Sequence, residues 1–115
     1  QSVTRLRCNM SIRQSYAISS GGKYDLGNLP GRLGAIRVVD VLVNGKNIRY
    51  LPKMTWLESG TPDRHYIEVK CTEDPTKGGM LMVNKSEGIV ETFISSDRFY
   101  DSVTVTLDMA VVGES

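Results

Sequence analysis

The sequence predicts an all-β protein, a single immunoglobulin-like antiparallel β-sandwich of about seven to eight strands over residues 1–115. Short stretches of alternating apolar and polar residues recur along the chain, and turns rich in Gly, Pro, Asn and Asp separate them. No segment has the apolar spacing of an amphipathic helix. A small β-barrel is the alternative arrangement of the same strands.

The clearest predicted strand lies near the C-terminus, within 99–112. A period of two places one apolar row on one face of a strand. This row consists of Val103, Val105, Leu107, Met109 and Val111. We expect the rest of the chain to provide neighbours for this strand and a second layer over its apolar face. Since no strand follows it, one of its edges must be covered within the sheet, left exposed or completed by another molecule.

The first predicted strand, 2–12, alternates in the same way. Its apolar face carries Leu6, Cys8, Met10 and Ile12. It continues through 16–18 after a bend at Gln14-Ser15, and an irregular connection follows over 19–34 with a short extended piece at 24–26.

The middle of the chain supplies the remaining strands. The run 36–43 is apolar on both faces apart from Arg37 and Asp40, which predicts a central position in a sheet. Asn44-Gly45 is typical of a type I′ hairpin turn, so 46–51 is expected to fold back onto 38–43. Further strands are predicted at 54–57, 64–71, 80–83 and 89–94.

The two cysteines, Cys8 and Cys71, both fall on predicted inner faces. An even pair in a chain that begins with Gln1 favours a disulfide, an oxidising compartment and a processed N-terminus, or a trimmed one. Two free, buried thiols are the alternative. The tripeptides at Asn9 and Asn84 match the N-glycosylation sequence and give weak support to secretion.

Several function classes are disfavoured by the composition. A net charge of +1 is too small for a dedicated nucleic-acid binder, and no apolar run approaches a membrane span. One histidine, His65, and two distant cysteines do not make a zinc site. No GxSxG nucleophile motif or phosphate-binding loop is present, so we expect neither an enzyme nor a cofactor. Asp97 and Asp101 are expected to be solvated turn carboxylates rather than calcium ligands.

A basic row on the outer face of the first strand is the main candidate ligand surface. Arg5, Arg7 and Arg13 could meet an acidic glycan or an acidic partner. Protection of an exposed strand edge by charge is the alternative. Five of the aromatic residues are expected either to form a carbohydrate platform or to fill the core and its corners. They are Tyr16, Tyr24, Tyr50, Trp56 and Tyr66.

Two stretches resemble a known family. The segment from Tyr100 to Met109, YDSVTVTLDM, looks like the closing strand of chaperone–usher fimbrial subunits, and Cys8 to Ile12 resembles their first core strand. The resemblance implies an immunoglobulin-like fold that lacks its last strand. A periplasmic chaperone and then the neighbouring pilin would supply that strand by β-strand addition.

The resemblance also implies an acceptor groove for the partner strand. One wall would carry Val103, Val105, Leu107 and Met109, and the other would carry Leu6, Met10 and Ile12. The leading expectation is therefore a secreted or cell-surface protein-association module, a fimbrial subunit or adhesin domain. The alternatives are a monomeric secreted protein that recognises a glycan or host protein, and a viral or phage coat or decoration protein.

Overall fold

The computed structural model describes residues 7–94 and 102–114, with side chains from Met10 to Ile94 and from Ser102 to Gly113. Nine strands are present in this part of the chain, and the only helical element there is a 3₁₀ turn at Ile48–Tyr50. The strands are β1 (Arg7–Ala17), β2 (Gly22–Asp25), β3 (Gly31–Val43), β4 (Lys46–Asn47), β5 (Met54–Gly60), β6 (Arg64–Cys71), β7 (Gly78–Asn84), β8 (Ile89–Phe93) and β9 (Val103–Glu114).

The strands form two sheets, which confirms the predicted β-sandwich. Sheet A has the order β1-β9-β3-β4, and sheet B has the order β2-β8-β7-β6-β5. All neighbouring strands pair antiparallel. The ninth strand is β2, a short strand that adds at the edge of sheet B where the sequence predicted only an extended piece at 24–26.

The core lies between the sheets and is centred on β9. Alternate residues of β9 from Val103 to Val111 are at most 2% exposed. Sheet B covers them with its own inward row: Ile67, Val69, Leu81, Val83 and Val90. Burial of each such side chain contributes roughly 1.5–3 kcal/mol of hydrophobic stabilisation. The alternating pattern of the sequence therefore corresponds directly to the packed layer.

The Asn44-Gly45 turn is confirmed, but the returning strand is shorter than predicted. Asn44 and Gly45 have φ values of 51° and 80°, the positive values that a type I′ turn needs at both positions. Only Lys46 and Asn47 then pair with β3. The side-chain oxygen of Asn47 accepts a 2.9 Å hydrogen bond from the Arg49 amide. This local bond starts the 3₁₀ turn, and so the predicted pairing over 46–51 is wrong beyond Asn47.

The predicted disulfide is wrong, because Cys71 is a free cysteine. Cys71 ends β6 and lines a cleft with Val43, which pairs with Val103 at the start of β9. The backbone of Cys8 pairs instead with Gly113, at the other end of β9. Ten strand residues span about 33 Å, whereas the two Cα atoms of a disulfide lie less than about 7 Å apart. Both cysteines lie on strands, as predicted, but at opposite ends of the sandwich.

Candidate interaction edge

The predicted groove wall on β9 has no free edge. β9 pairs with β1 along one side and with β3 along the other. Val103, Val105, Leu107 and Met109 therefore lie in the middle of sheet A and beneath sheet B. Of the three arrangements expected for the edges of this strand, coverage within the sheet is the one that forms, because β1 and β3 occupy both sides of β9. Leu6, assigned to the other wall, lies outside the described residues.

The edge of sheet A is formed by β1. Its register with β9 runs over eleven consecutive pairs without a bulge, and the expected bend at Gln14-Ser15 is absent. No strand lies on the far side of β1 within residues 7–94 and 102–114. An edge of this length presents a row of unpaired backbone groups to any extended chain that approaches it.

Two hydrogen bonds show which backbone groups of β1 point outward. The Ile18 amide, in register beyond β1, donates to the Val103 carbonyl at 2.9 Å, so the even-numbered residues face β9. The Ala17 carbonyl points the other way, where it accepts a 3.3 Å bond from the Tyr24 hydroxyl. The N–H and C=O groups that face away from β9 and are left without a strand therefore belong to Asn9, Ser11, Arg13 and Ser15.

The opposite edge of sheet A is less regular. β4 pairs only with Leu42 and Val43, so most of β3 is an edge rather than the predicted central strand. The register of β3 against β9 shifts twice, between Leu33 and Ile36 and between Val38 and Asp40. Each shift displaces the outward backbone groups from a period of two, and such bulges are a common protection of strand edges. In addition, the Leu33 amide already donates to the Lys85 carbonyl at 3.0 Å.

The inward side chains of β1 are incompletely covered. Met10, Ile12 and Gln14 lie opposite Val111, Met109 and Leu107, which are 0% exposed. Met10 is nevertheless 46% exposed, Ile12 is half-buried and Gln14 is exposed. The apolar layer of the sandwich thus extends to the sheet edge at β1 and stops there. Of the predicted second wall, Met10 and Ile12 do border an open edge.

The outer face of β1 is polar, and its described arginine is paired. The Arg13 guanidinium donates from Nε and Nη2 to the two carboxylate oxygens of Asp108 at 2.7 and 2.8 Å. Arg37 donates to the same carboxylate at 2.7 Å from the other side. These bonds hold the pKa of Asp108 well below its usual range, and the bond from Arg13 has the largest effect.

Arg13 therefore does not project as a free edge charge. Its pairing with Asp108 across β1 and β9 weakens both predicted roles, ligand cation and edge guard, at this position. Arg5 lies outside the described residues, as does the side chain of Arg7. The ion pair could not be found by sequence reasoning, because it depends on the register that places Asp108 between Arg13 and Arg37.

The aromatic side chains do not form one platform. Tyr16 is 1% exposed and meets the Tyr24 ring edge-on, with 5.1 Å between ring centroids. Tyr50 is 69% exposed on the 3₁₀ turn. Trp56 packs against the core, whereas Tyr66, on the next strand, belongs to the alternate row and faces outward. The core and corner role holds for Tyr16, Tyr24 and Trp56.

Two further sequence features have structural roles. Asn84 is 6% exposed, and its side-chain oxygen accepts bonds from the Ser86 hydroxyl and the Glu87 amide, both at 3.1 Å. Asn84 therefore caps the β7–β8 turn. The Nε2 atom of His65 on β6 lies 2.9 Å from the carboxylate of Glu58 on the neighbouring strand β5. Among the described residues no group of three or more His, Cys, Asp or Glu side chains could hold a metal ion, while Asp97 and Asp101 lie outside them.

Comparison with known proteins gives no relative on which to base a function. No protein-family model, curated protein or solved structure matches the chain. No helix within the two described segments is long and apolar enough to cross a membrane. The function is therefore argued from the geometry of the site itself.

Proposed function

We propose that this protein is a non-enzymatic association module, and that a partner protein adds a strand to sheet A along the outer edge of β1. The single observation that carries the proposal is the regular row of outward backbone groups on Asn9, Ser11, Arg13 and Ser15, which no strand of the described segments pairs with. In its most concrete form, the protein is a secreted or surface subunit of a fibre or an adhesin domain. A chaperone would occupy the edge during transit, and a neighbouring subunit would occupy it afterwards.

Backbone pairing provides the affinity of such a contact. The outward N–H and C=O groups of β1 occur at every second residue. The backbone groups of an added antiparallel strand have the same spacing, so the two rows can pair. Each net hydrogen bond contributes about 0.5–1.5 kcal/mol. The same match is not available along β3, because its bulges break the period of two. The choice between the two long edges of sheet A therefore follows from register.

Side chains define the kind of segment that fits. On the inward side, the added strand would lie beside Met10 and Ile12 and would cover their exposed surface, which favours apolar residues there. On the other side, it would run beside Ser11, Ser15 and the paired Arg13, which favours uncharged polar residues. The expected partner segment is an extended stretch that alternates apolar and polar residues.

The proposal is tested with a synthetic peptide of alternating Val and Thr residues. Peptide at one hundred times its dissociation constant should stabilise the folded protein by about 2.7 kcal/mol, measured as a shift in the unfolding midpoint. Ser11→Pro removes one outward N–H and no internal hydrogen bond, since a proline is tolerated on the open side of an edge strand. This variant should fold and lose most of the peptide response.

Ser11→Ala is the matched control, because it removes the same hydroxyl and keeps the N–H. It should respond to the peptide like the unmodified protein. If the peptide has no effect on the unmodified protein, or if Ser11→Pro and Ser11→Ala respond equally, strand addition at β1 is wrong.

A further inference from the structure

A second feature lies at the end of the sandwich, independent of the β1 edge. A cleft of about 410 Å³ opens where the first residues of β3, the last residues of β9 and the turns after β5 and β7 meet. Among the described residues, Arg32 and Lys85 line it and no carboxylate does, and the remaining lining residues are small or apolar: Leu33, Gly34, Pro62, Val112 and Gly113. The side-chain charge that faces this cleft is therefore positive.

Lys85 is held in place while its ammonium group is unpaired. Its backbone N–H donates to the Asp63 carbonyl at 2.8 Å, and its carbonyl accepts from the Leu33 amide at 3.0 Å. These two bonds fix the residue between the sheets. The side chain is half-buried, yet its ammonium group has no ion-pair or hydrogen-bond partner among the described residues. An ammonium group without a partner is available to an anion that enters the cleft.

Arg32 keeps donors available beside it. Only its Nη2 is used, at 3.1 Å from the Pro62 carbonyl and 3.4 Å from the Asp63 carboxylate. Its Nε and Nη1 donors have no hydrogen-bond acceptor among the described residues. The Asp63 carboxylate is also occupied, by Arg64 at 3.0 Å and the Ser86 hydroxyl at 3.3 Å. It therefore neutralises Arg32 only in part and leaves Lys85 unpaired.

The geometry points to a binding site for an oxyanion, a carboxylate, sulfate or phosphate group, held by Lys85 and the free donors of Arg32. A guanidinium suits the paired oxygens of such groups, and an ammonium adds a point charge. Gly34 lies within the β3 bulge and contributes no side chain to the cleft. A Cβ there would stand 2.9 Å from a Val112 methyl, so the position is kept small.

The test is a titration followed by the amide NMR signals of Gly34, Lys85 and Gly113. Sodium phosphate, sulfate and acetate are compared with sodium chloride at equal ionic strength. Saturable shifts are expected with at least one oxyanion and not with chloride. A response to phosphate and sulfate alone assigns the site to tetrahedral groups, and a response to acetate assigns it to carboxylates.

Substitutions distinguish a specific oxyanion site from a general effect of positive charge. Lys85→Gln should weaken the binding about tenfold, and Lys85→Arg should restore most of it. Lys23→Gln, which removes the same charge from β2, should leave binding unchanged. Unfolding midpoints confirm that each variant is folded. Shifts that chloride reproduces, or binding that Lys85→Gln leaves unchanged, would overturn the proposal without affecting strand addition at β1.

Discussion

The buried phenol of Tyr16 gives the sharpest test of the packing. The side chain is 1% exposed, and its hydroxyl has no hydrogen-bond partner among the described residues. A buried polar group without a partner costs about 1–3 kcal/mol. Tyr16→Phe removes that group and keeps the ring against Tyr24. We therefore expect the variant to be more stable than the unmodified protein by roughly 1 kcal/mol at neutral pH.

Alkaline pH should enlarge this difference. Burial, and then the neighbouring Tyr24, raise the pKa of Tyr16 from 10.0 to about 12. A raised pKa means that the folded protein binds this proton more tightly than the unfolded chain does. The associated stability is complete below pH 10 and is lost as the pH rises towards 12. Linkage gives a loss of about 1.4 kcal/mol by roughly pH 11, which Tyr16→Phe should not show.

The assay is urea unfolding of both proteins between neutral pH and roughly pH 11. All other titratable groups are common to the two proteins, so the difference between them isolates Tyr16. Two results would refute this reasoning. If Tyr16→Phe is less stable by 1 kcal/mol or more, the hydroxyl has a bonding partner. If the difference is constant with pH, the phenol is not desolvated.

Four further outcomes are expected. Asp108→Asn should lower the stability of the folded protein at neutral pH. Because the pKa of Asp108 is lowered in the folded state, its carboxylate stabilises the fold fully only above the ordinary carboxyl range. The stability difference between the variant and the unmodified protein should therefore shrink as the pH falls below that range, as measured by unfolding at acid pH. Leu107→Ala, at a fully buried position, should cost about 2–5 kcal/mol in urea unfolding. Gly31→Ala would place a Cβ against the Val112 carbonyl oxygen and should cost at least about 2 kcal/mol by the same assay. Cys71 should react with an alkylating reagent in denaturant without prior reduction, as measured by mass spectrometry. If Cys71 stays unlabelled, the predicted disulfide is present after all.

The local alternation of apolar and polar residues was enough to predict most of the strands. β6 runs from Arg64 to Cys71, as the alternation predicts, because each residue's neighbours already define its inward or outward face. The Asn44-Gly45 turn follows from the same local logic, since both residues tolerate positive φ. The all-β sandwich is thus a direct consequence of period and turn chemistry.

Pairing between distant strands was not predictable in this way. The last strand, β9, lies between β1 and β3, although it has no successor in the sequence. Gly31 and Gly34 have the composition of a loop, yet they belong to β3, where close backbone approach and a bulge require them. The cysteines show the same limit, because two positions on predicted inner faces can lie at opposite ends of one sandwich. The candidate edge, the Asp108 ion pairs and the Lys85 cleft all depend on register, which a single sequence does not encode locally.

Hydrogen–deuterium exchange of individual β1 amides tests strand addition most directly. In the free protein, the amides that face β9, such as Ile12, Gln14 and Tyr16, should exchange slowly, and the outward amides should exchange fast. Adding the alternating peptide should slow the outward set alone: Asn9, Ser11, Arg13 and Ser15. Unchanged exchange at these four amides, or new protection along β3 or β5 instead, would contradict the assignment of the binding edge to β1.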